Sequence, residues 1–401
     1  MSTNIYAALE IGTTRTVLAV GEGEVGGRLK VIGHTEIPST NVRKSQILNI
    51  ADATQSVKSV IQSAEEKLKG NAYSLNLCTA YLVVSGNHID TIPFSGSTAI
   101  GGSKVSDEEI NAVINASRNY PIPESRELLD VIDQDYVIDN LTGISAPKGM
   151  SGRILKLNTL HIIADKNRIE DAKTAAENAR IEIEEPLLAV TSAAEVVLEE
   201  HEKKNGVLVL DLGGGSTGYS VYSDGYLVSA GVIGVGGDHI TNDIAHAFQT
   251  TNAQAEALKV KEASASLSSL NDMSARVKIP SSNPLMDNRT ISRRALNTVV
   301  NARVKELFKV IRDTLEERDL LVRMHSGIVL TGGGAKLNDL DEVAQQILGL
   351  NVRIGRPIHV DGLENEPESY AYAAVAGALL YAHRNADDSN FFSSFFGRIF
   401  K

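Results

Sequence analysis

With one cysteine in 401 residues, Cys78, the chain cannot hold an internal disulfide framework, and it suits a reducing compartment. Cys78 itself is expected as a small core residue. No basic, apolar leader stands at Met1–Asn4, so no secretory signal is expected. No stretch reaches the roughly 18 uninterrupted apolar residues that suggest a spanning helix. Structural zinc is unsupported, because no cluster of cysteine and histidine exists. His239 beside Asp238 reads as a solvated or capping residue. Basic residues are outnumbered 50 to 39, giving a formal net charge of -11, which argues against a broad nucleic-acid surface. The same acidity repels anionic lipid unless one segment is specialised to overcome it.

What is present is an ordinary globular composition, 42% hydrophobic, over a length that suggests two to four domains. One pattern occurs twice. Strand-like Ile5–Glu10 and Val17–Val20 flank Gly12-Thr13-Thr14, while Gly206–Leu210 and Tyr219–Tyr222 flank the polar turn from Asp211 to Gly218. Two related halves are therefore expected. Between the hairpins lie a helical pattern over Asp52–Leu68, a strand over Leu75–Ser85, and a change of texture from Gly86 to Ile163. Ser106-Asp107-Glu108-Glu109 starts a helix inside that stretch, because serine accepts an amide hydrogen bond and early carboxylates suit the helix dipole. Further helices are expected at Asn167–Ala179, Ala189–Glu200, from Ile240, from Ser292 to about Arg318, at Leu337–Leu348 and at Ala371–His383. Residues 259–291 read as loop-rich.

Glycine lets backbone amides approach an anion and adopt turns denied to larger residues. Three strand-end clusters have this character: Gly12-Thr13-Thr14, Gly213-Gly214-Gly215-Ser216-Thr217, and Gly332-Gly333-Gly334 after strand Ile328–Leu330. None has the spacing of a Walker loop or dinucleotide fingerprint. Each alone is compatible with a plain tight turn; together they suggest phosphate binding. Thr13, Thr14, Ser216 and Thr217 offer hydroxyls and Arg15 a charge. Asp211 ends a strand where a carboxylate holds hydrated Mg²⁺ or merely caps a turn. Glu185, before Pro186, is a candidate for orienting water.

These segments resemble the actin, sugar kinase and heat-shock ATPase superfamily. Glu10–Thr16 matches its first phosphate motif, Asp211–Gly218 its second and Val329–Ala335 its adenosine motif. Met150-Ser151-Gly152, Glu185-Pro186-Leu187, Val235–Ile244 and Ile291-Ser292-Arg293-Arg294 resemble more closely the FtsA family of bacterial cell-division proteins, from about Tyr6 to Tyr381. The resemblance implies an α/β, actin-like two-lobed ATPase fold, a duplicated ribonuclease H-like core with an inserted subdomain. On that plan residues 1–85 and 164–204 form the first lobe core, 86–163 the insertion, 205–242 and 327–383 the second lobe core, and 243–326 its subdomain. It implies ATP and Mg²⁺ as ligands, with Gly236, Gly237, Glu256, Lys259, Gly333 and Gly334 bordering the nucleotide. It implies self-association into filaments, attachment to inner-membrane lipid at the division site, and contact with downstream division proteins. It also implies binding of the FtsZ tail, where Arg293 and Arg294 are candidates; two solvated helix-start arginines are the plainer alternative. Gly218 departs from the acidic residue common at its place, so ATP binding is expected with weak or absent hydrolysis.

Residues 384–401 read as a polar tether followed by an amphipathic helix. Phe391, Phe392, Phe395, Phe396, Ile399 and Phe400 share one half of a helical wheel, and Arg398 and Lys401 lie on the other. Five of the eight phenylalanines fall here. Twelve residues make a helix of roughly 18 Å, too short to span a bilayer but suited to its interface. A helix packed on its own body or in a partner's groove is the alternative. Competing functions are a small-molecule kinase of the same superfamily, for which no acceptor pocket is apparent, and an actin-like scaffold for cell shape.

Overall fold

The computed structural model describes residues 4–24, 26–69, 77–268, 275–279, 289–321 and 324–399, with side chains described as far as Ala386. Two five-stranded sheets share one plan. The first is ordered Glu182–Leu188, Thr79–Val84, Asn4–Ile11, Arg15–Gly23, Lys30–Pro38. The second is ordered Val352–Ile354, Ile328–Thr331, Val207–Leu212, Thr217–Ser223, Tyr226–Ile233. In each, an antiparallel meander of three strands begins the sheet, and two parallel strands extend it from the meander's first strand. The similarity expected from two hairpins thus extends to whole sheets, which makes the protein a two-lobed α/β molecule.

Strand alternation sorts the second sheet's side chains into two cores. Val207 and Val209 join the core shared with the first lobe, while Leu208, Leu210 and Leu212 face the second lobe's own helices. Helix Ala189–Val197 packs on the second sheet, helix Ala373–Ile399 packs on the first, and the two helices pack on each other. Their contact is close enough that a Cβ added to Gly377 would lie 1.8 Å from the Ser192 carbonyl oxygen.

The stretch of changed texture forms a separate antiparallel sheet ordered Ile89–Ala99, Ile154–Asp165, Arg126–Ile138, Leu141–Ile144. Helix Asp107–Arg118 lies on it, and the Ser106–Glu109 capping box forms as the sequence suggests. Ile100, Val105, Val113, Leu155 and Leu157 give it a core of its own. The second lobe adds helices Gly237–Phe248, Asn252–Glu262 and Arg293–Glu316, with Ser292 capping the last. The loop-rich stretch contains the end of Asn252–Glu262 and the short strand Arg276–Ile279, paired with Arg289–Ser292.

Two local expectations need correction. Cys78 is exposed, because it lies just before the first residue of the strand Thr79–Val84 instead of within it. The helix from Ala189 stops at Val197; Leu198 is extended and Glu199 begins a new short helix, Glu200–Asn205. The polar residues after His383 continue the preceding helix, which runs without a break from Ala373 to Ile399. No glycine or proline interrupts Tyr381–Asn390, so nothing in the backbone stops an alanine-rich helix from propagating. The side chains of Phe391, Phe392, Phe395, Phe396, Arg398 and Ile399, and the whole of Phe400 and Lys401, lie outside the described residues. Among the described residues no helix is long and apolar enough to cross a membrane.

Candidate functional site

The two repeated hairpins turn in the same way. Gly12 N–H donates to the Arg15 carbonyl at 3.0 Å, and Gly213 N–H donates to the Ser216 carbonyl at 3.0 Å. A Cβ on Gly12 would be 2.8 Å from that acceptor, and one on Gly213 would be 2.9 Å from its own. Each turn therefore requires glycine at its entrance. The Gly236-Gly237 segment lies beneath the second turn: Gly237 N–H donates to Gly213 O at 3.0 Å and Asp238 N–H to Gly214 O at 2.8 Å. His239 Nδ1 accepts from Gly236 N–H at 3.2 Å, the capping role expected of it. The third cluster starts at Gly332, with φ +83° and its N–H bonded to the Tyr370 carbonyl at 3.0 Å.

Two carboxylates stand at equivalent places, each two residues before the turn glycine. Burial pushes the Asp211 carboxyl up to about 6, with Arg15 pulling the other way. Burial, with a smaller contribution from Asp211, pushes Glu10 up to about 7 against the pull of Arg15. Glu10 was not expected as a site residue. Superposing Glu10-Ile11-Gly12 on Asp211-Leu212-Gly213 would have found it. Arg15 is less free than expected: its guanidinium bonds Glu36 and the Ala371 carbonyl and lies 5.2 Å from the Tyr372 ring centre.

Glu10, Asp211, Thr13, Thr14, Gly215 and Ser216 line one cleft between the lobes, closed at one side by Gly332 and Gly333. It continues past Thr14, Gly214 and Gly333 into a more apolar cavity. Ile240, Val260, Val304, Leu307, Leu337 and Leu340 wall that cavity, and Glu256, Lys259 and Gly237 edge it. Lys259 Nζ donates to Thr241 Oγ1 at 2.8 Å and Gly237 O at 3.2 Å, and pairs with Glu256 at 2.7 Å. Gly334 lines the same cavity.

Four expected site residues are placed elsewhere. Thr217 is buried and its hydroxyl donates to the Val235 carbonyl at 2.8 Å, so it braces the Gly236-Gly237 turn without facing the cleft. Glu185 lies on strand Glu182–Leu188, back from the strand's cleft end, and does not line the cleft. It accepts from Tyr381 Oη at 3.1 and 3.2 Å, and burial raises its carboxyl, helped by Asp130. Arg293 and Arg294 lie at the start of the helix Arg293–Glu316 and line neither the cleft nor the cavity; Arg293 pairs with Glu262 at 2.6 Å and Arg294 is exposed.

The model of "Cell division protein FtsA" matches residues 208–377, and that of the "SHS2 domain inserted in FTSA" matches residues 86–164. The cell division protein FtsA of Pseudomonas aeruginosa is 32% identical over 96% of this chain and 91% of its own. The chain belongs to the FtsA family. The FtsA of Escherichia coli is 29% identical over 96% of this chain and 92% of its own. Among solved structures, a PilM–PilN type IV pilus biogenesis complex matches with TM-score 0.66 at 18% identity, covering 94% of this chain and 98% of the other. MreB5 of Spiroplasma citri bound to AMPPNP matches with TM-score 0.54 at 15% identity over 98% and 100% of the two chains. These likenesses establish the actin-like fold. FtsA membership makes the chain an actin-like, ATP-binding protein of bacterial cell division.

Proposed function

We propose that the protein is an ATP-controlled, self-assembling tether that holds the FtsZ tail at the cytoplasmic face of the inner membrane and helps gather downstream division proteins. The observation that carries the reading is the pair of mirrored glycine turns, Gly12–Arg15 and Gly213–Ser216, opening onto an apolar cavity beyond Gly333. Phosphates fit the turns and adenosine fits the cavity, with Glu256, Lys259 and Gly334 at its edge. In this reading residues 86–163 supply a surface for protomer contacts and 243–326 form the lobe that receives the partner.

The donor set suits a hydrated Mg²⁺. Glu10 and Asp211 are buried oxygen donors whose charge Arg15, already committed to Glu36, balances only in part. Among the described residues no group of three ligating side chains exists, so the cation would take its other ligands from water and phosphate. When bound it neutralises phosphate charge. The chain's own part is to align the nucleotide between two rigid turns. Turnover is slow in this reading, because Glu185 is held by Tyr381 and Gly218 has no room for a side chain: a Cβ there would lie 2.8 Å from Val190 Cβ.

The test is co-sedimentation of the full chain with vesicles of anionic lipid, with ATP or ADP, against a chain ending at Asp388. The full chain is expected to bind, more strongly with ATP because an assembled filament presents many short anchors at once. Equal binding by the shortened chain removes the anchor from the reading.

A further inference from the structure

After Pro38 the chain forms a small hairpin, Val42–Arg43 against Gln46–Ile47, whose turn consists of Lys44 and Ser45 alone. Both have positive φ, 49° and 57°. A two-residue hairpin turn of this kind ordinarily uses Asn-Gly, since a Cβ is disfavoured at both positions. The chain nevertheless places a cation and a hydroxyl there. A conformation of this sort persists only where its surroundings enforce it, and it is a reason to look for function.

The surroundings are the tips of both glycine turns. Ser45 N–H donates to Thr13 Oγ1 at 2.9 Å, and a Cβ on Gly215 would lie 2.8 Å from Lys44 Cα. One short turn therefore touches both halves of the molecule at once. Its position along the cleft is also defined. The apolar cavity and the phosphate cleft share Thr14, Arg15, Gly213, Gly214 and Gly333, whereas Thr13, Ser45, Ser85, Gly215 and Ser216 line only the phosphate end. Ser45 thus places the Lys44–Ser45 turn on the part of the cleft that the apolar cavity does not share, which is the terminal-phosphate end if adenosine occupies the cavity.

Charge at that end is short of cations. Glu10 and Asp211 are both carboxylates, Arg15 is bonded to Glu36 and the Ala371 carbonyl, and Lys259 is held by Thr241, Gly237 and Glu256 on the adenosine side. Lys44 is exposed and makes no ion pair among the described residues. We propose that Lys44 is the terminal-phosphate ligand of this cleft. Its ammonium closes over the phosphate that distinguishes ATP from ADP, and Ser45 fastens the closed turn to Thr13. This assignment rests on the reading of the cleft as an ATP site. It adds a discrimination between the two nucleotides, exerted where the lobes meet.

The test is titration calorimetry of the full chain with ATP and with ADP, each with Mg²⁺, for the wild type, Lys44→Ala and Lys44→Arg. Losing one charge-assisted hydrogen bond should weaken ATP by about tenfold or more in Lys44→Ala and ADP by less than about threefold. Lys44→Arg should keep the preference for ATP, and the melting temperature of nucleotide-free Lys44→Ala should match wild type, since the side chain is exposed. Unchanged ATP preference in Lys44→Ala, or an equal loss for both nucleotides, overturns the assignment and leaves the ATP reading standing. Wild-type protein that binds neither nucleotide overturns both.

Discussion

Gly332 stands so close to Asp211 that a Cβ added to it would lie 2.2 Å from the Asp211 Oδ1 atom. With φ at +83°, the position is strained for any other residue as well. The glycine thus determines where the carboxylate sits, one residue past the strand that pairs with Asp211. Gly332→Ala is expected to cost about 1–3 kcal/mol in urea unfolding, from backbone strain and from displacing the buried carboxylate. It should also abolish the contribution of Mg²⁺ to nucleotide affinity. Asp211→Asn provides the comparison: fold retained, Mg²⁺ dependence lost. A Gly332→Ala protein with normal Mg²⁺-dependent binding would show that the contact does not position the ligand.

Glu10 and Asp211 make stability depend on pH in a definite direction. A carboxyl whose pKa is raised in the folded state binds more protons when folded, so its contribution is fully present below the unfolded value and lost as pH rises through the folded one. The window runs from 4.5 to about 7 for Glu10 and from 3.8 to about 6 for Asp211. Nucleotide-free protein should therefore lose stability between about pH 4 and pH 7 from these two groups. Glu10→Gln should flatten the upper part of that loss. Parallel urea-midpoint curves for wild type and Glu10→Gln across pH 5 to 7 would count against the burial-driven shift.

Much of this was legible in the sequence, because glycine turns and strand alternation are local signals. The two hairpins, the capping box at Ser106 and the helix start at Ser292 depend on neighbours within a few residues. What escaped depends on partners far away in the chain. Thr217 looks like another turn hydroxyl until the strand Thr217–Ser223 directs it to Val235. Glu185 looks available until Tyr381, 196 residues later, is found against it. Glu10 escaped for a different reason: its signal lies in the match of Glu10-Ile11-Gly12 to Asp211-Leu212-Gly213 in the other half, not in its own neighbours.

The packing of the two central helices gives a test of how the lobes are joined. A Cβ on Gly377 would overlap the Ser192 carbonyl oxygen at 1.8 Å, which backbone cannot yield without moving one helix. Gly377→Ala is expected to lower stability by about 3 kcal/mol or more, although alanine favours helices elsewhere. A neutral or stabilising effect in urea unfolding would mean that the helices separate easily.

Gly218 makes a related point about catalysis. Its partner across the strand pair is Asp211, and Val190 of the helix Ala189–Val197 fills the space where a side chain would go. Gly218→Asp should therefore destabilise the protein by about 1–3 kcal/mol and leave phosphate release from ATP no faster than in wild type. A rise in turnover with retained stability would mean that the cleft has room for the acid after all.

Arg293 and Arg294 are adjacent, yet they should separate cleanly in a partner assay. Arg293 is tied to Glu262 at 2.6 Å and its backbone N–H donates to the Ala275 carbonyl, so part of its role is to hold the helix start against its neighbours. Arg294 is exposed and projects no such side-chain bond among the described residues. If an acidic tail binds here, Arg294→Ala should weaken an FtsZ tail peptide by about threefold to tenfold and leave the melting temperature unchanged. Arg293→Ala should weaken the peptide and also lower stability, by about 1 kcal/mol or less because the pair is half-exposed. Fluorescence anisotropy with the labelled peptide, run beside thermal melts of both variants, separates the two. Peptide affinity unchanged in Arg294→Ala would move the partner's contact to another face of the lobe.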